Sequence, residues 1–151
     1  MISFIRRFIF RFLANALPCV WLTLALLALS GCQAIQESTN LVPLPENSPP
    51  MPYRDLVVRA RFQARAADES FYANKWAELE ETAKVLQQTS SLVGKATGVP
   101  VAREKAIHDT SLLLGQQATV LRGLATAKDE KGTNECMQRI NSLVRELRVE
   151  P

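Results

Sequence analysis

The chain has 151 residues, and 18 Lys plus Arg against 15 Asp plus Glu give it a formal charge of +3. That excess sits at one end: Arg6, Arg7 and Arg11 all precede the first acidic residue, Glu37, and beyond residue 31 the 15 remaining cations face 15 anions. A neutral remainder excludes a basic nucleic-acid footprint, and one His with three Cys leaves little material for a metal centre or for acid–base catalysis.

The first segment has the polarity of an export signal. Three arginines form a positive n-region, no charge occurs from Phe12 to Gly31, and Trp21–Leu29 is the apolar heart. A basic end stays at the anionic cytoplasmic face while the apolar stretch enters the bilayer. The run closes on Leu29-Ser30-Gly31-Cys32, which resembles the lipobox of bacterial lipoproteins. The resemblance implies diacylglycerol transfer onto Cys32, cleavage after Gly31 and acylation of the new amino terminus. Residues 1–31 are then a signal peptide, and acylated Cys32 holds the chain to a lipid bilayer. A permanent anchor is the competing reading, since about 18 uncharged residues just span a bilayer, and an ordinary secreted protein is another. Asn15, Pro18 and the small pair Ser30-Gly31 favour processing. Gln33 stands where, by the enterobacterial rule, an Asp would signal inner-membrane retention, so the resemblance implies the outer membrane, facing the periplasm.

Residues 32–52 read as the lipidated Cys and a disordered tether. Pro43, Pro45, Pro49, Pro50 and Pro52 fall within ten residues, and proline fixes φ and removes hydrogen-bond donors. Polyproline-like extension at ~3.1 Å per residue gives twenty residues a reach of roughly 60 Å. No PxxP run here is flanked by residues of the binding type, so a plain spacer is expected.

From Tyr53 to the C-terminus the pattern is helical. Leu56, Ala60, Ala64, Ala67 and Phe71 form a mostly small stripe, with Asp55 as cap. Asn74 is a break and the N-cap of the second helix, whose seam is Trp76, Leu79, Ala83, Leu86, Ser90 and Val93. Residues 94–100 make a turn, and Pro100 enters the first turn of a third helix. That helix runs to about Lys128 with Ile107, Leu114, Ala118, Leu121 and Ala125 inward. Gly115 and Gly123 inside it each cost ~1 kcal/mol relative to Ala; close helix approach would offset Gly115, and Gly123 has no evident reason. Residues 129–132 are expected as the last turn. The final helix carries Cys136, Ile140, Leu143 and Leu147 on its apolar face, with late arginines suited to its C-terminus. An all-α, antiparallel up-down-up-down four-helix bundle over residues 53–151 follows, with one bent helix in place of the first pair as the alternative.

This order of helices resembles the haem-bearing bundles of the cytochrome c-prime family and their b-type relatives. Members carry a Cys-x-x-Cys-His pentad in the final helix. Here it reads Cys136-Met137-Gln138-Arg139-Ile140, with Arg139 in place of the second thiol and Ile140 in place of the iron ligand. The b-type arrangement asks for a Met at the start of helix one and a His in helix four. Met51 lies before helix one among prolines, and helix four has no His. The resemblance therefore implies the fold and argues against the family's haem; no cofactor or metal is expected.

The remaining chemistry-bearing residues have plain readings. His108 is a lone His on helix three. Cys136 is a buried thiol acting as a small hydrophobe, or else forms an intermolecular disulfide in an oxidising envelope. Cys19 belongs to the signal. Trp76, Phe71 and Tyr72 make core and rim at the first helix junction, and Glu78, Glu80 and Glu81 a solvated face. No catalytic constellation is visible. The expected function is that of a non-enzymatic, membrane-anchored envelope lipoprotein whose bundle binds another envelope protein or a second copy, or has a structural role in organising the membrane surface, with no nucleic-acid partner. The alternative is a haem-binding or electron-transfer protein of the cytochrome c-prime type.

Overall fold

The computed structural model describes residues 40–45 and 48–148. The expected signal peptide, Cys32 and the first part of the tether lie outside the described residues. Four packed helices account for most of the rest: α1 (Tyr53–Tyr72), α2 (Trp76–Val93), α3 (Glu104–Ala127) and α4 (Glu130–Glu146), with a short 3-10 helix at Val101–Arg103 before α3. No strand occurs among the described residues, and no helix among them is long and apolar enough to cross a membrane.

α1 begins directly after Pro52, the last proline of the expected tether. Pro52 occupies the N-cap with extended backbone and no side-chain cap, so Asp55 is not the cap; it lies in the first turn, where its charge favours the helix dipole. Leu56, Val57, Ala60, Ala64 and Ala67 are buried on one stripe. Asn74 ends this helix rather than starting the next. Its φ of 58° is the left-handed conformation that asparagine tolerates better than most residues, and Lys75, without a side-chain cap, is the N-cap of α2.

The connection after α2 is tied back to the entrance of α1. Thr97 donates its N–H to the Met51 carbonyl at 3.0 Å, and the Tyr53 N–H donates to the Thr97 carbonyl at 2.8 Å. Gly98 turns the loop with φ 73°, a region open to glycine. Pro100 caps the 3-10 turn and so lies ahead of α3 rather than within its first turn.

Lys128, left-handed at φ 53°, terminates α3. Asp129 is then not part of a longer turn but the N-cap of α4: its Oδ1 accepts the Gly132 N–H at 3.0 Å. Residues 130–132 are helical, and the connection shrinks to two residues.

α1 packs on α2 and α4, α2 on α3, and α3 on α4. The core between them takes Leu79, Leu86, Ile107, Leu114, Leu121, Ile140 and Leu147, all essentially sealed from solvent. Phe71, Trp76 and Leu143, expected inward, are half-buried at its edge. At Gly115 α2 and α3 approach closely, because a Cβ there would meet Ser90 Oγ at 2.7 Å. Gly123 has open space around its Cβ position, and nothing in the structure explains it.

The described part of the proline-rich stretch lies along the bundle. Arg59 and Gln63 of α1 and Gln88 of α2 hydrogen-bond to the main chain of residues 40–44. Any extension away from the fold by this stretch would first have to break those bonds.

Candidate functional site

Cys32, the residue expected to carry lipid, lies outside the described residues. The other singled-out residues do not converge. His108 is exposed on α3, and no group of three His, Cys, Asp or Glu able to hold a metal occurs among the described residues. Glu78 pairs with Lys75 and Glu81 with Lys84 on an exposed face of α2. Phe71 meets the edge of Trp76 with ring centroids 5.7 Å apart, and Tyr72, 77% exposed, flanks it at 5.4 Å. This is a rim cluster with one ring in water, not an enclosed aromatic cage.

Cys136 is buried and has no disulfide. Its thiol donates to the Gln117 carbonyl at 3.3 Å, and burial pushes its pKa up, away from thiolate reactivity. Along the pentad that resembles a haem-attachment motif, Cys136, Met137 and Ile140 face the core while Gln138 and Arg139 face solvent. Ile140, 1% exposed, fills the would-be ligand position with a branched alkyl group that has no lone pair to offer iron. These residues do not fit haem.

Two polar features were not evident as sites from the sequence. One is an open groove between α1 and α4, floored by Val58, Phe62 and Val144 and walled by arginines including Arg61 and Arg148. Within it the Asn141 amide donates to both oxygens of Asp68, at 3.1 and 3.3 Å. Burial pushes the Asp68 pKa up, the Asn141 bond opposes that shift, and neighbouring Glu69 adds to it. No cation closes on this carboxylate within ion-pair distance among the described residues.

The other feature is the polar set on α1 and α2. Arg59 is 4% exposed and Gln63 fully buried, one helical turn apart on the same stripe as Leu56 and Ala60. Arg59 Nη2 donates to the Val42 carbonyl, and Gln63 Nε2 donates to the Asn40 carbonyl at 2.8 Å. Burial depresses the Arg59 pKa, though a guanidinium stays charged. The signal was present in the sequence: both residues fall at core-facing spacing, where a long polar side chain needs a partner from outside its own helix.

No protein-family model, no curated protein and no solved structure matches the chain.

Proposed function

We propose that the protein is a lipid-anchored lipoprotein of the bacterial envelope, held through acylated Cys32 at the outer membrane facing the periplasm, and that its bundle is a non-enzymatic interaction module. The anchor is supported by the basic n-region, the uncharged run and Leu29-Ser30-Gly31-Cys32. The four helices run alternately up and down, as in cytochrome c-prime bundles. The connections support this arrangement: three residues join α1 to α2 and two join α3 to α4. Each helix also packs on its neighbour in sequence, and the first packs on the last.

One observation carries the interaction reading. Leu112, Leu113 and Val120 on α3 are 55%, 49% and 49% exposed; Leu113 and Val120, two turns apart, share a helix face with Leu112 at its edge, and an apolar face left in water marks a surface that other molecules cover. The occupant is an envelope protein or a second copy of the chain.

Expression of Cys32→Ala in the native envelope tests the anchor. The variant should remain at precursor mass without lipid, while the wild type shows a cleaved, acylated N-terminus. Normal maturation of the variant overturns the lipoprotein reading. Cross-linking in intact envelopes tests the surface: an adduct formed by wild type should be lost in Leu113→Glu, and equal adducts would remove α3 from the interaction. Mass spectrometry of the same material that found covalent haem would restore the electron-transfer alternative.

A further inference from the structure

The contacts between the bundle and residues 40–44 have a register. Asn40 and Leu41 are helical, Val42 is a bend, and residues 43–45 have no regular structure; on α1, residues four apart rise about 6 Å. Across that bend the carbonyls of Asn40 and Val42 accept from Gln63 and Arg59, one turn apart on α1, with the segment running opposite to α1. Two residues further on, Gln88 of α2 makes a reciprocal pair with Leu44: its Oε1 accepts the Leu44 N–H at 3.0 Å, and its Nε2 donates to the Leu44 carbonyl at 2.5 Å.

These bonds read main chain only. Leu41, Val42, Pro43 and Pro45 are all exposed, Val42 at 59%, so the segment is held with little apolar burial. The single N–H used by these bonds is that of Leu44. Prolines at 43 and 45 therefore forfeit no bond, whereas a proline at 44 would. The segment is also an incomplete occupant: Gln63 Oε1 is buried with no hydrogen-bond partner among the described residues, although the other half of its amide is bonded to the segment.

We propose that the α1–α2 face bearing Arg59, Gln63 and Gln88 is a receptor groove for a proline-interspersed peptide that bends out of a helical turn, filled in this structure by the chain's own residues 40–44. The groove requires carbonyls at alternate positions and one N–H opposite Gln88, and it tolerates proline on either side of that N–H. A proline-rich segment of a partner with the same pattern takes the groove by displacing residues 40–44. Neither Cys32 nor the exposed face of α3 takes part, so this site stands or falls independently of the anchor and of that surface.

A fluorescent peptide with the sequence of residues 38–48 is the probe, with the full chain as receptor. A chain carrying Leu44→Pro lacks the amide that pairs with Gln88, so its own segment should release and it should bind the peptide at least about tenfold more tightly than wild type. Adding Gln88→Ala should reverse that gain. A Leu44→Pro peptide should fail to bind, and a Val42→Ala peptide should bind like the parent. Amide exchange in the wild-type chain gives a reading without any variant: the Leu44 amide should be protected, and excess peptide should speed its exchange at least about tenfold by displacement. Unchanged exchange under saturating peptide, or peptide binding indifferent to Gln88→Ala, overturns the proposal.

Discussion

Ser90 Oγ lies 2.7 Å from the point where a Cβ on Gly115 would stand, and the same hydroxyl donates to the Gln87 carbonyl at 2.7 Å. α2 and α3 thus meet at a serine and a glycine, with no slack for a methyl group. Gly115→Ala should therefore forfeit the usual helical gain of about 1 kcal/mol and lower the urea midpoint. Combining it with Ser90→Ala should recover most of the loss. Gly123→Ala meets nothing within 4 Å and should raise stability by about 0.5–1 kcal/mol. A Gly115→Ala chain that melts at a higher midpoint than wild type would mean the helices are not in contact there.

Ile140 tests the register of α4. Truncation to Ala removes a sealed side chain from the core, and Ile140→Ala should cost about 2–5 kcal/mol by lost burial and a cavity. Ile140→His should also destabilise, because an imidazole would be buried without a partner. Denaturant melts of both variants check this. Small changes in both would place Ile140 on the surface.

Asp68 sets a pH dependence. Its pKa is raised by burial, with Glu69 adding to the shift and Asn141 opposing it, so the native state holds the proton more tightly than the unfolded chain. Stability from this group is therefore present below the ordinary aspartate value of about 3.9 and declines as pH rises through the raised value. Asp68→Asn keeps an acceptor for Asn141 and removes that decline. Its unfolding midpoint relative to wild type should improve as pH rises above about 3.9. Parallel pH profiles would refute the burial of this carboxylate.

Tyr53 sets the opposite limit of the pH range. Its hydroxyl donates to the Leu147 carbonyl, and Tyr53→Phe should cost about 1 kcal/mol at neutral pH. Burial pushes the phenol pKa up while Arg103 pulls it down. Because the net shift is upward, the stability it confers is whole below about pH 10 and is lost as pH rises beyond it. The gap between wild type and Tyr53→Phe should narrow above about pH 10, and a constant gap would contradict the raised pKa.

The apolar seams were legible in the sequence because a helix repeats its inward face every three or four residues, and Leu79, Leu86, Leu114, Leu121 and Ile140 obey that spacing through to the core. The punctuation was less so. Asn74 and Asp129 both suit a helix start, yet only Asp129 caps one; Asn74 takes left-handed backbone instead. Sequence alone does not separate those uses, since the same short polar side chain serves both. The set of Arg59, Gln63 and Gln88 was missed because its partners lie 17–44 residues away in sequence and are backbone atoms, which carry no residue signature. Asp68 and Asn141, 73 residues apart, were missed because their pairing depends on how closely α1 meets α4.

The bond between Tyr53 and Leu147 joins positions 94 residues apart, and Arg103 closes on the same end of α4 through the carbonyls of Glu146 and Arg148 at 2.7 and 2.6 Å. The chain thus enters and leaves its helices at one place. Order along the polypeptide is then separable from order in space: a short linker from Arg148 to the segment preceding α1, with new ends cut at exposed Gly98, preserves every helix–helix neighbour. Such a circular permutant should regain wild-type helicity, because what specifies this arrangement is the set of faces that meet and not the direction in which the backbone is threaded through them.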